Sequence, residues 1–311
     1  MVIKDNVGIV ILVKVWNRVK FFLLMKLLYP LHNLIYETCH TDYSLLTASV
    51  NPVSNNWGDD VSIKLCELIN SHKKFIIRRY TWNIYGREDY LVIGSIITWM
   101  TTPKSIIWGS GIVYPHKELS AIPKKVLAVR GPLTRQYLIE RGVSCPEIYG
   151  DPALLFPRYY KPKGNKKYKL GVIPHFRDKG NVLLEKFRND EDILIIDVQK
   201  VRPWTKIIDD VCRCEYIASS SLHGIIISDA YNVPNVWIEF ADGERKQFAF
   251  QDYFCSVDKA SQRATPVNNT TTKEILIKQC ENWKPIKIDL DLLLSVCPFI
   301  TNDASNEKSS F

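Results

Sequence analysis

Three serines followed by Leu222-His223-Gly224 close the short β-prone run Glu215 to Ala218 and open a stretch, Leu222 to Tyr231, with apolar residues at helical spacing. Asn232 and Pro234 then end it. Free N–H groups at such a helix start, flanked by the hydroxyls of Ser219, Ser220 and Ser221, suit a phosphate or carboxylate. His223 falls in the first turn, within reach of a bound anion, and an imidazole can give or take a proton near neutrality. The rival reading is a packed histidine without chemistry. A serine hydrolase is set aside because SSSLHG does not supply the G-x-S-x-G elbow.

Other clusters suit related tasks. NNWGDD, residues 55 to 60, sets Asn56, Gly58 and two carboxylates at the entry to a helix. The glycine admits close backbone approach, and Asp59 or Asp60 can take a proton from a sugar hydroxyl; taken alone, the motif is better explained by simple helix capping. Gly94-Ser95 and Trp108-Gly109-Ser110-Gly111 each follow an apolar run where a strand should end. Ser95 could meet a ligand there and Trp108 could stack on a sugar ring, with a buried indole as the alternative. In AVRGPLTR, Arg130 stands at a strand end, where its fork suits a carboxylate or phosphate, whereas Arg135 reads as a surface ion pair. GVIPHFRDK gathers His175, Arg177 and Lys179 in one loop, three potential cations for an anion.

Such groups need a scaffold that brings strand ends together, and the chain alternates strand and helix. Strands are read at Tyr43 to Val50, Tyr90 to Ile97, Ser105 to Gly109 and Lys125 to Val129, with helices at Gly58 to Asn70 and Pro132 to Glu140. Beyond the lysine-rich linker PRYYKPKGNKKYK come strands at Leu170 to Ile173, Ile193 to Val198 and Asn235 to Phe240, either side of the serine-rich motif. Helices follow at Pro203 to Cys212, Thr272 to Glu281 and Asp289 to Val296. This alternation predicts an α/β protein of two Rossmann-like, doubly wound domains, 41–158 and 159–300, with ligands in the cleft at the C-terminal strand ends.

Residues 301–311 are polar enough for a disordered tail. The apolar run Val7 to Tyr29 is broken by Lys14, Arg18, Lys20 and Lys26, too often for a spanning helix. Residues 1–40 therefore form an N-terminal apolar helical extension that either lies in an anionic membrane interface or packs on the domain behind it.

The net charge of +8 over 311 residues favours an anionic partner. Without zinc-finger spacing, a ribonucleoprotein motif or a long basic run, that partner is not nucleic acid. The eight cysteines lack C-x-x-C spacing and read as reduced thiols of a cytoplasmic protein; Cys212-Arg-Cys214 has no second pair with which to hold a metal.

Taken in order, NNWGDD, YLVIGSIITW, WGSGI, AVRGPLT, YGDPALLFP, GVIPHFRDK, ASSSLHGIIISDAYNVP and DLLLSVCPF resemble the polysaccharide pyruvyltransferase family, most of all its bacterial exopolysaccharide ketal-pyruvate transferases. The resemblance spans residues 44 to 299. It implies a GT-B-like pair of domains, the first on the acceptor side and the second on the donor side. It also implies transfer of pyruvate from phosphoenolpyruvate to two hydroxyls of one sugar, giving a cyclic ketal on a lipid-linked or polymeric glycan during bacterial surface polysaccharide (exopolysaccharide or capsule) biosynthesis. No cofactor and no essential metal are implied.

On this resemblance His223 would be the general acid, or would protonate the leaving phosphate, with Arg130 gripping the donor and Asp59 serving the acceptor hydroxyl. His175, Arg177, Lys179, Ser220, Ser221 and Leu222 would complete the donor pocket; Asn56, Gly58, Asp60, Ser95 and Trp108 would line the acceptor side. One departure stands out: several members of the family place Arg before Leu-His where this chain has Ser221, so the serines, the backbone and Arg177 or Lys179 would have to make up the charge. The implied location is the cytoplasm, peripheral at the inner face of the membrane through residues 7–29. A GT-B glycosyltransferase using a nucleotide sugar and a non-catalytic glycan-binding protein of the same fold are the alternatives.

Overall fold

A computed structural model describes residues 42–48, 56–79, 86–240 and 246–300, together with Trp16, Val19, Leu23, Leu28, Leu31, Ile35, Cys39 and His40. Two wholly parallel five-stranded sheets organise these residues. The first holds β1 (Ser44–Ala48), β2 (Phe75–Arg79), β3 (Asp89–Leu91), β4 (Ser105–Trp108) and β5 (Lys125–Ala128), in the order β2-β1-β3-β4-β5. Around it run α1 (Trp57–Ile69), α2 (Ile97–Met100) and α3 (Pro132–Ile139).

The second sheet holds β6 (Tyr168–Ile173), β7 (Ile193–Ile195), β8 (Cys214–Ser219), β9 (Asn235–Glu239) and β10 (Thr265–Pro266). Its helices are α4 (Glu185–Arg188), α5 (Lys206–Cys212), α6 (Leu222–Ala230), α7 (Gln247–Ser256), α8 (Lys273–Cys280) and α9 (Leu290–Ser295). The strand order β10-β9-β8-β6-β7, read from its other edge, repeats that of the first sheet. Each sheet thus reverses direction beside its first strand, between β1 and β3 and between β6 and β8. Crevices for ligands open at the C-terminal ends of the strands at such points.

The α/β class and the two parallel sheets follow from the alternation of elements. Strand β2 was not anticipated: FIIRR ends in two arginines and reads as surface, yet Phe75 and Ile76 pair in register with Ser44 and Leu45. Helix α7 also escapes the sequence reading, since QFAFQDYFCS starts without a side-chain cap and its aromatics look like core of any kind. They are core: Trp237 stacks on Phe250 at 4.4 Å, and Tyr253 and Phe254 are fully buried.

One apolar core joins the two sheets. Trp57 donates its indole N–H to the Trp204 carbonyl at 2.7 Å, and its backbone N–H meets the Val198 carbonyl at 2.8 Å. Asp252 of α7 caps α3 from across the chain, accepting from the backbone N–H and hydroxyl of Thr134 at 2.8 and 2.6 Å and from Arg130 Nε at 3.3 Å. The end of the chain then returns to the first sheet. Phe299 meets the rings of Phe75, Tyr90 and Trp108 edge-on at 5.0, 4.9 and 6.1 Å.

Of the N-terminal extension, Trp16, Val19 and Leu23 are helical and exposed. Apart from Leu28, also exposed, the rest of the 7–29 run and the 301–311 tail lie outside the described residues. Among the described residues no helix is long and apolar enough to cross a membrane.

Candidate active site

Both switch points face one cleft of about 490 Å³. The first half contributes Asn56 after β1, Ser95 after β3 and a wall carried by α2 and the loop behind it. The second half contributes His175 and Arg177 after β6, Leu222 and His223 at the start of α6, and Lys246 just before α7.

His223 sits at the junction. A Cβ built on Gly58 would fall 2.1 Å from its Nδ1, so the ring packs directly on the first turn of α1, where only glycine leaves room. Its other nitrogen, Nε2, lies 3.8 Å from Asp151 Oδ2. That is beyond hydrogen-bond length, and both atoms are buried without a hydrogen-bond partner among the described residues. Burial, together with the charges of Arg130 and Lys246, lowers the His223 pKa to about 3, while burial raises that of Asp151 to about 6. The neutral-range titration expected of His223 is thereby replaced: the imidazole is neutral and the carboxyl beside it holds a proton more readily than a free aspartate.

The serines do a different job from the one expected. Ser220 Oγ accepts from His175 N–H at 2.9 Å and donates to Asp178 at 2.7 Å. Ser219 Oγ accepts from Ser221 N–H at 3.0 Å and donates to the Ser221 carbonyl at 2.8 Å. Their hydroxyls tie the β6 loop to the start of α6, and Ser221 makes no side-chain cap. What faces the cleft is the first turn of α6 itself, through Leu222 and His223.

The cations are also redistributed. Lys179 turns away to pair with Asp197 at 2.6 Å and is not part of the lining. His175 is buried and uncharged, its pKa lowered to about 2 by burial and by Lys246 and Arg177. Lys246 Nζ lies 2.8 Å from His175 Nε2, so the neutral imidazole accepts from the ammonium and orients it. Arg177 and Lys246 therefore carry the positive charge on the second-half side, with Lys117 opposite.

Arg130 is fully buried, and each guanidinium nitrogen has a protein partner: Nε with Asp252, Nη1 with Ser95 Oγ at 2.6 Å and Nη2 with the Ile112 carbonyl at 2.7 Å. It stands behind Ser95 rather than in the lining. Trp108 is fully buried and donates to the Leu293 carbonyl at 2.9 Å, which removes it from any sugar. Asp59 lies in the first turn of α1 with its side chain outside what is described, and Asp60 closes the same turn on the Asn56 carbonyl without lining the cleft.

Asp151, Lys246 and Trp99 were not singled out by sequence. Asp151 stands in YGDPALLFP, where Asp before Pro reads as a cap; it is one, its Oδ1 accepting from Ala153 N–H at 3.0 Å, but Oδ2 is left over. Lys246 follows a polar stretch with no periodic signal, and Trp99 lies just beyond the strand read at Tyr90 to Ile97. Among the described residues no cluster of His, Cys, Asp or Glu could hold a metal ion.

The model of the polysaccharide pyruvyl transferase family matches residues 39–241, a span that contains β1 to β9, His223 and Asp151. The chain belongs to that family. An uncharacterized protein of Acanthamoeba polyphaga mimivirus is 27% identical over 250 residues, covering 76% of this chain and 83% of that protein. The succinoglycan biosynthesis protein ExoV of Rhizobium meliloti is 25% identical over 236 residues, covering 73% of this chain and 69% of its own length. A functionally uncharacterized protein of Klebsiella pneumoniae, known as a crystal structure, aligns with 78% of this chain and 98% of its own at a TM-score of 0.44 and 12% identity.

Proposed function

We propose that the protein transfers pyruvate from phosphoenolpyruvate to two hydroxyls of one sugar residue, forming a cyclic ketal during polysaccharide biosynthesis. Family membership supports pyruvyl transfer. The single observation that carries the donor is the union, in one cleft, of Arg177, Lys246 and the first turn of α6 beside a His–Asp pair. A small dianion with a phosphate and a carboxylate matches that set. The repeated strand order, with both switch points on one cleft, supports a GT-B-like arrangement.

In this mechanism the anion offsets the charges that depress His223, so the imidazole can hold a proton. The Asp151–His223 pair delivers its proton to the methylene carbon of the enol ester. The first sugar hydroxyl adds to the adjacent carbon and gives up its proton. The carbon–oxygen bond to phosphate then breaks and phosphate leaves with one proton. The second hydroxyl closes the ring, and its proton restores the pair. Atoms balance as donor plus diol giving ketal plus inorganic phosphate.

The protein works in the cytoplasm at the inner face of the membrane, with exposed Trp16, Val19 and Leu23 in contact with lipid. Deleting residues 1–40 releases it from anionic vesicles; unchanged partitioning overturns that location. The function itself is tested by incubating the full chain with phosphoenolpyruvate and a panel of glycosides, following phosphate release and a pyruvyl mass increment. Thermal stabilisation by a uridine diphosphate sugar but not by phosphoenolpyruvate would sink the reading in favour of a glycosyltransferase.

A further inference from the structure

The first-half wall of the cleft has a chemistry of its own. Helix α2 is four residues long, and Ile97, Thr98 and Met100 are all buried. Trp99 alone points outward, 40% exposed, and it lines the cleft. Its indole N–H donates to the Ser95 carbonyl at 3.4 Å, which fixes the ring on the wall. Trp57 and Trp108 of the same half are fully buried, the ordinary outcome for so large an apolar surface. Val113 and Tyr114 continue the wall, and Glu118 stands at its rim.

This face suits the anionic donor less than the opposite wall does: the indole and the phenol carry no charge, Glu118 repels an anion, and Lys117 beside it is the one cation of this wall among the described lining residues. It suits a neutral ring with an apolar face and a hydroxylated edge. We infer that Trp99 and Tyr114 form the acceptor subsite, with the C–H face of a pyranose on the indole and its hydroxyls toward Glu118. The inference rests on the pyruvyl-transfer reading for its orientation, because the stacked sugar then presents two hydroxyls toward His223 on the facing wall. It places the sugar on α2 and the loop after β4, away from the buried Trp108.

The test uses saturation-transfer NMR on the full chain with methyl β-galactopyranoside, methyl β-glucopyranoside and methyl α-mannopyranoside, and with uridine as a competing flat ring. The wild type is expected to bind at least one glycoside. Trp99→Ala should bind it about tenfold more weakly, Trp99→Phe should keep most of the affinity, and stabilisation by phosphoenolpyruvate should stay unchanged in both. Three results overturn the subsite: no glycoside binds at any soluble concentration, Trp99→Ala binds as the wild type does, or uridine displaces every glycoside. The two readings fail separately. Glycoside binding that depends on Trp99, without any response to phosphoenolpyruvate, sinks the donor and spares the subsite. Pyruvylation with an unchanged acceptor KM in Trp99→Ala does the reverse.

Discussion

Asp151 Oδ2 and His223 Nε2 face each other at 3.8 Å inside the protein, and neither atom has a hydrogen-bond partner among the described residues. Buried polar atoms are nearly always satisfied, so a pair left open at a cleft marks a site prepared for a proton. Asp151→Asn keeps the oxygen that caps Ala153 but loses the acid. It should lower kcat by about 10²-fold or more with little change in the donor KM, read in steady-state phosphate release.

Gly58 is the floor on which the imidazole rests. Gly58→Ala puts a methyl group where His223 Nδ1 now lies, and the ring must swing away. The expected result is a comparable loss of kcat, about 10²-fold, with a stability cost of roughly 1–3 kcal/mol in chemical denaturation. Full activity in this variant would show that the ring position in the cleft is not the working one.

Lys246 is held by a neutral imidazole. Lys246→Met should raise the donor KM roughly ten- to a hundredfold, the usual worth of a lost charge-assisted contact, and leave the acceptor KM unchanged. Lys179→Met, which breaks contacts with Asp197 and Gln199 outside the cleft lining, should change neither.

Acid stability follows from the same burial. His175 and His223 have folded-state pKa values of about 2 and 3, below the ordinary histidine value of 6.5, so the unfolded chain binds more protons than the folded one as pH falls below 6.5. Both therefore withdraw stability on acidification. Asp151, raised from 3.8 to about 6, acts in the opposite sense between those values, adding stability as pH falls. Burial raises Asp252 in the same direction as Asp151, so the histidine contribution is read by difference: His175→Asn should lose less Tm between pH 7 and pH 5 than the wild type in calorimetry.

The capping carboxylate of α7 ties Arg130 and α3 together. Asp252→Ala strips the fully buried Arg130 of its only anionic partner among the described residues, and a loss of about 3–5 kcal/mol is expected in urea unfolding. A loss under 1 kcal/mol would mean that the Ser95 and Ile112 contacts suffice.

The α/β class, the parallel sheets and the start of α6 were legible because period and punctuation mark them: Gly131-Pro132 before α3, Pro234 after α6, and unbroken apolar runs for buried strands. Spatial pairings were not. That Ser220 binds Asp178, or that Lys179 leaves the cleft for Asp197, depends on which side of a loop each residue takes, and local pattern does not encode this. Trp108 and Trp99 show the limit most clearly. Both are tryptophans of the first half next to strand ends, and tertiary packing alone buries one and exposes the other.

Phe299 carries a consequence for biosynthesis. The rings of Phe75, Tyr90 and Trp108 leave the ribosome long before the aromatic side chain that covers them, and Trp108 waits as long for the carbonyl of Leu293. The first half therefore cannot complete its core while it is being translated. Its nascent sheet presents an uncovered aromatic face until the segment carrying Leu293 and Phe299 has been made, which leaves maturation dependent on whatever shields that face meanwhile.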